Sequence, residues 1–354
     1  MSAEEVLVHR EGRAGLIVLN RPKALNALTH GMVRRIARAL DDWEHDPAVA
    51  TVVITGAGER GLCAGGDIVA IHRAASGGDQ GAAEEFWRDE YHLNARIARY
   101  PKPYVAVMDG IVMGGGVGVS AHGSVRIVTE RTRIALPETG IGFVPDVGGT
   151  YLLALAPGEL GTHLALTAGS VGAADALLCG LADHHVPAER LPALLDDLAE
   201  RPVHDALERH VAAAPPGPLA GQRGWIDRCY AAGSVEEILD RLGDSGEPEA
   251  KAAADRIAAN SPSAVKATLA ALRRARALGP LEAVLDQEYR ISCAALATPD
   301  LAEGIRAQVI DKDRSPRWHP ATLAEVEDAV VARYFAPLGE RELGLAATTP
   351  LERW

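Results

Sequence analysis

Two carboxylates stand in a segment that offers them nothing to pair with. In PETGIGFVPDVGGT, Pro137 to Thr150, Glu138 and Asp146 are set among Gly, Pro, Ile, Val and Phe. A Glu in apolar company is partly desolvated, which lifts its pKa towards that of a useful general base. Asp146 reads two ways: an Asp in a Pro-Asp-x-Gly run often serves a turn or a cap, and it suits a catalytic pair equally well. Upstream lie two glycine-rich loops, CAGGDI at Cys63–Ile68 and MGGGVG at Met113–Gly118. Glycine lets a backbone reach positive φ and approach a ligand closely. Each loop could therefore aim an N–H at one point, and two such donors on a carbonyl oxygen form an oxyanion hole. Losing one such donor typically costs about 10²–10³ in rate. Tight strand–helix packing also demands glycine, so a single loop decides little.

Other chemistries fit poorly. Gly114, Gly116 and Gly118 miss the GxGxxG spacing, no GxxxxGK[ST] occurs, and GxSxG is absent. The twelve histidines include no HExxH, and His184-His185 lack further ligands at metal spacing, so neither a metal nor another cofactor is expected. Cys63, Cys179, Cys229 and Cys293 form no CxxC pair, which fits a reducing compartment. The stretch MSAEEVLVHREGR has no apolar core of a leader, and no run reaches the roughly 18 apolar residues that span a bilayer. A cytoplasmic protein without a membrane partner is expected. The net charge of −12 argues against nucleic acid. A small phosphorylated ligand stays possible, since a few local cations or helix N-termini suffice.

The elements that must position these residues form two zones. At 354 residues, 47% hydrophobic and 24% charged, the chain suggests about two globular units. GLIVLN (15–20), TVVITG (51–56), PYVAVMDG (103–110) and VRIVTE (125–130) read as strands alternating with helical patterns, an α/β core. Thr29 is a candidate cap for a helix burying Met32, Val33, Ile36, Ala37, Leu40 and Trp43. From about Thr162 the chain turns Ala- and Leu-rich with helical periodicity. SPSAVKATLAALRRAR predicts a helix capped by Ser261 with Pro262 in its first turn, and 211–224 an exposed connection. The expected division is a core at 1–160 carrying the chemistry and a mainly helical region at 161–354.

In this order, CAGGDI, GIVMGGGVGVS and LPETGIGFVPDVGGT resemble the crotonase (enoyl-CoA hydratase/isomerase) superfamily. LNRPKALNALT at 19–29 extends the likeness, and EGIRAQVIDKDRSPRW at 303–318 resembles its 3-hydroxyisobutyryl-CoA hydrolase branch. The resemblance implies a spiral core of repeated ββα units, an acyl-CoA substrate, no cofactor, and assembly as a homo-oligomer. It puts the thioester carbonyl between the N–H groups of Gly66 and Gly115, and CoA beside Lys23, Ala24, Ala64, Asp67 and Ile68.

The same resemblance assigns the acids. Hydratases of the superfamily hold water with two glutamates; one position matches Glu138, but the other is Gly118 here. The hydrolase branch instead carries PDVGG, and its DEYHLN segment matches Asp89–Asn94. The likeness to that branch implies a thioester hydrolase of valine breakdown. In it Glu138 acts as nucleophile or general base, Asp146 orients it and manages protons, and Glu90 binds the substrate 3-hydroxyl. The alternatives are an isomerase using Glu138 alone, a hydratase, and a silent acyl-CoA-binding protein.

Overall fold

The computed structural model describes residues 4–348; the first three residues of the stretch read for a leader, and the last six of the chain, lie outside the described residues. Ten strands occur in it: β1 (Val6–Glu11), β2 (Ala14–Leu19), β3 (Thr51–Gly56), β4 (Gly61–Cys63), β5 (Tyr104–Met108), β6 (Ile111–Met113), β7 (Val125–Val128), β8 (Arg133–Ala135), β9 (Ser170–Val171) and β10 (His184–His185). They make a six-stranded sheet in the order β1-β2-β3-β5-β7-β10 and a four-stranded sheet in the order β4-β6-β8-β9. Consecutive strands change sheet: β3 enters the large one and β4 the small, and likewise β5 then β6, β7 then β8. This is the expected spiral of ββα units.

The large sheet is parallel from β2 to β10, with β1 added antiparallel. Parallel strands are covered on both faces and read as unbroken apolar runs, as YVAVM of β5 does with every residue buried. One face packs Val53, Val105, Val107 and Ile127 against Leu194, Leu198, Ala206 and Leu207 of helices Leu191–Glu200 and Val203–His210. In helix His30–Glu44, Thr29 accepts the Met32 N–H at 3.2 Å as expected. Its buried face is the expected one except that Ala39, not Ala37, is buried.

Two compact units divide the chain. The first holds residues up to Gly66, Leu93–Ala135 and Ser170–Ala220; the second holds Asp67–His92, Leu136–Gly169 and the chain from Gly221 on. A cut at residue 160 does not follow this division. Val171 pairs with β8 and His184-His185 with β7, so the stretch after 170 returns to the β unit. The helical run read from Thr162 is thus interrupted, because pairing and burial against a sheet override local propensity.

The second unit is helical. Ser261 accepts the Ala264 N–H at 3.1 Å and caps helix Pro262–Leu278, as its sequence predicts. Helix Leu281–Leu296 comes next. Helix Gln80–Ala98 contributes its first thirteen residues to this unit. The irregular connection expected over 211–224 ends at 218, because residues 219–224 already belong to helix Leu219–Tyr230, which buries Leu219, Trp225 and Ile226.

Candidate active site

In the first unit the two glycine loops lie side by side. Gly114 has φ 47° and ψ −121°, a conformation that a side chain would strain, and it opens the short helix Gly115–Gly118. A Cβ on Gly116 would come within 2.4 Å of the Cys63 carbonyl oxygen. Only glycine permits that approach, so the backbones of Cys63–Gly66 and Met113–Gly118 lie against each other. Gly66 forms a bridge to Leu28, whose N–H donates to the Gly65 carbonyl at 2.8 Å. The Ala64 N–H donates to the Leu25 carbonyl at 3.0 Å, and Arg60 donates to the Pro22 and Lys23 carbonyls at 2.6 and 3.2 Å. Lys23, Ala24 and Ala64, expected near CoA, are thereby gathered around one corner of this unit. Asp67 and Ile68 open helix Ile68–Ala75 at the start of the second unit.

The second unit gathers the acids. Glu138 begins a 3-10 turn, Glu138–Ile141, just after Pro137. The turn is pinned by Thr139: its hydroxyl donates to the Ala165 carbonyl at 3.1 Å and accepts from Asn260 Nδ2 at 3.2 Å. Asp146 ends the loop, and Val147 after it has φ 54°. Positive φ at a β-branched residue is strained and persists only where surroundings enforce it. The enforcing group is Glu288. Its carboxylate accepts the Gly148 N–H at 2.6 Å, the Thr150 N–H at 2.8 Å and the Thr150 hydroxyl at 2.5 Å. Trp87 of the 80–98 helix stacks on Phe143 with ring centroids 5.5 Å apart, holding that helix against the same loop.

Glu90, Glu138, Asp146 and Glu288 are all buried. One oxygen of Glu90 and one of Glu138 have no hydrogen-bond partner. Burial raises Glu138 well above the ordinary carboxylate range, and the Asp146 charge raises it further. Glu90 is raised in the same way by burial, then by Asp146. Asp146 is pushed up to about 7 by burial, against the hydrogen bond that the Tyr91 hydroxyl donates to Oδ2 at 2.7 Å. Glu288 is pushed up to about 8 by burial, against the three donors that hold it. So many like-sign groups around Asp146 cannot all ionise in a dry site, and their titrations belong to the group rather than to single residues. The cluster can hold, take up and deliver a proton near neutral pH.

Sequence reasoning missed Glu288, Tyr91 and Ser292. The signal for Glu288 is its place on an apolar stripe: Leu281, Val284, Leu285, Glu288, Ile291, Ser292 and Ala295 are all buried along one helix. An acid on such a stripe is a candidate for a built role. Tyr91 stood inside the DEYHLN segment beside Glu90, where nothing but the structure separates it from core.

A spiral β unit with paired glycine loops, and a helical unit with a buried acid cluster, describe an acyl-CoA enzyme of one family. The chain belongs to the enoyl-CoA hydratase/isomerase family, the crotonase superfamily, whose sequence profile matches residues 14–335. It is 44% identical to a mitochondrial 3-hydroxyisobutyryl-CoA hydrolase of Danio rerio over 97% of this chain and 92% of that protein. The Homo sapiens protein of the same name is 41% identical over 97% and 91%. Among solved structures, a carnitinyl-CoA dehydratase from Mycobacterium thermoresistibile is 55% identical with a TM-score of 0.94, covering 96% of this chain and 98% of that one. An enoyl-CoA hydratase from Rhodobacter sphaeroides is 45% identical with a TM-score of 0.90, covering 96% and 99%.

Proposed function

We propose that the protein hydrolyses the thioester of 3-hydroxyisobutyryl-CoA, giving the free acid and CoA. The observation that carries this reading is the buried group of Glu90, Glu138 and Asp146, with oxygens of both glutamates left without partners. The full-length likeness to curated hydrolases of that name supports it. In this reading the Gly66 and Gly115 N–H groups polarise the thioester carbonyl and bind the oxyanion that develops there. On a general-base route, Glu138 takes a proton from water as the water oxygen bonds to the carbonyl carbon. The C–S bond then breaks, and the departing thiolate receives a proton from the acid cluster. On a nucleophilic route, a Glu138 oxygen bonds to that carbon first, the C–S bond breaks, and water splits the resulting anhydride. Labelled water in a single turnover identifies the nucleophilic route when the label appears on Glu138, since only water attacking the Glu138 carbon of the anhydride puts it there. Asp146 orients the attacking group, Glu90 binds the 3-hydroxyl, and Lys23, Ala24, Ala64, Asp67 and Ile68 line the CoA portion.

The names of the two solved relatives favour a second reading, addition or removal of water at a C=C bond. Against it stands Gly118, which has no side chain where the superfamily's hydratases have a second glutamate. The deciding assay follows free thiol from 3-hydroxyisobutyryl-CoA beside loss of enoyl absorbance from crotonyl-CoA. Thiol release abolished in both Glu138→Gln and Asp146→Asn, and unaffected by dialysis against a chelator, is the expected result. Enoyl loss without thiol release would establish a hydratase. Neither signal would leave an isomerase or a silent binder.

Self-association is part of this proposal on the family resemblance, and sedimentation of the full chain tests it. Among the described residues no helix is long and apolar enough to cross a membrane. The cytoplasmic location expected from the sequence differs from the mitochondrial one in the relatives' names, and cell fractionation decides between them.

A further inference from the structure

Asp146 sits where water cannot adjust to its charge, yet a group that manages protons must exist in two protonation states. Burying either state without partners would cost heavily. The hydroxyls beside it show how both are accommodated. Tyr91, fully buried, lies with its hydroxyl 2.7 Å from Asp146 Oδ2 and 2.7 Å from Ser292 Oγ. Ser292, also fully buried, lies 2.9 Å from the Glu288 backbone carbonyl, one helical turn back.

We propose that Tyr91 and Ser292 form a reversible hydroxyl relay that stabilises Asp146 both as carboxylate and as carboxylic acid. With Asp146 ionised, Tyr91 donates to Oδ2, and the Ser292 hydrogen goes to the Glu288 carbonyl or to Tyr91. With Asp146 protonated, its own O–H donates to Tyr91, Tyr91 turns to donate to Ser292, and Ser292 donates to the Glu288 carbonyl. No hydrogen is left without an acceptor in either state, and no atom moves except by rotation of two hydroxyls. The two hydroxyls can turn either way because each both donates and accepts, and the carbonyl at the end, which only accepts, takes the last hydrogen when Asp146 is protonated. A serine bonding back to residue i−4 is common in helices, which would explain the Glu288 contact by itself. It does not explain the contact with Tyr91, which aligns the serine with the acid.

The groups facing Asp146 are Glu90 and Tyr91 from the 80–98 helix, Glu138 from the 3-10 turn and Glu288 from the 281–296 helix, and Ser292 of that last helix faces Tyr91. Tyr91 and Ser292 are positioning residues, acting through Asp146. The use of the relay in turnover rests on the hydrolase reading; the relay itself does not.

Their removal has opposite consequences. Tyr91→Phe deletes a donor to the ionised acid, the stronger kind of hydrogen bond, so protonation becomes easier. Ser292→Ala leaves the ionised state nearly whole but strands the Tyr91 hydrogen in the protonated state, so protonation becomes harder. The test is the carboxyl titration of Asp146 by carbon-13 NMR of the full-length protein, with Asp146→Asn identifying the signal. Relative to the wild type, the midpoint should rise by about one pH unit in Tyr91→Phe and fall by about one in Ser292→Ala. Ser292→Thr, which keeps the hydroxyl, should restore it. Thermal melting identifies any variant that fails to fold, and Ser292→Thr then carries the comparison with the wild type: its midpoint departing by a unit or more overturns the relay. So does a midpoint that moves the same way in Tyr91→Phe and Ser292→Ala, or that ignores Ser292. Opposite shifts in a protein that releases no thiol would overturn the hydrolase reading and leave the relay standing.

Discussion

Glu138 and Glu90 each keep a buried oxygen without a partner, an arrangement that costs on the order of 1–3 kcal/mol per group. A chain tolerates that where something it binds supplies the missing partner. For Glu90 the proposed partner is the substrate 3-hydroxyl, and selectivity tests it. Glu90→Ala should lower kcat/KM for 3-hydroxyisobutyryl-CoA by about 10-fold or more, while isobutyryl-CoA, lacking the hydroxyl, changes little. Equal losses on both substrates would give Glu90 a merely structural role. Glu138 and Asp146 were legible because acids among apolar residues are conspicuous in a chain, whereas Glu90, in the polar run DEYHLN, stood out only through the family resemblance. Glu288 was not, because helices carry Glu routinely and only the buried stripe distinguishes this one.

At the scale of elements, the 138–148 segment is held from three sides. Thr139 bonds to Ala165 and Asn260, Phe143 stacks on Trp87, and Glu288 grips the N–H groups of Gly148 and Thr150. None of these partners is local in sequence, so no periodicity could announce them. The design places several acids in a dry core, and stability depends on pH as a result. Asp146 has a folded pKa raised to about 7. The folded chain keeps that proton where the unfolded chain has lost it, so stability is fully present below the unfolded value near 4. It declines as pH rises through the folded value. Asp146→Asn removes this titration. Its melting temperature should exceed that of the wild type by a margin that widens between pH 5 and pH 8, reaching about 5 °C or more. A margin constant across that range would show that Asp146 titrates normally.

At the scale of the whole molecule, the last described turns hold the acid-bearing helices of the second unit together. Arg88, one turn before Tyr91, donates to the carbonyls of Arg341 and Glu342 at 2.6 and 3.1 Å and lies over the Tyr289 ring at 4.8 Å. Arg290 pairs with the Glu342 carboxylate at 2.9 Å, and Asp286 accepts the N–H groups of Leu345 and Ala346. Arg88→Ala should lower kcat several-fold with KM little changed, and lower the melting point by about 3 °C; full activity at a reduced melting point would confine the clasp to stability. By itself the sequence determined what local chemistry can encode. Glycines mark where the backbone must bend or approach, apolar runs mark buried strands, Thr29 and Ser261 mark helix starts, and lone acids in apolar loops mark the candidate site. The tertiary structure alone decided that residues after 170 return to the sheet, that Glu288 holds the turn behind Asp146, and that Tyr91 and Ser292 stand in line with it. Those facts depend on contacts between residues up to about two hundred positions apart, and such contacts arise from packing and burial, which no local window contains.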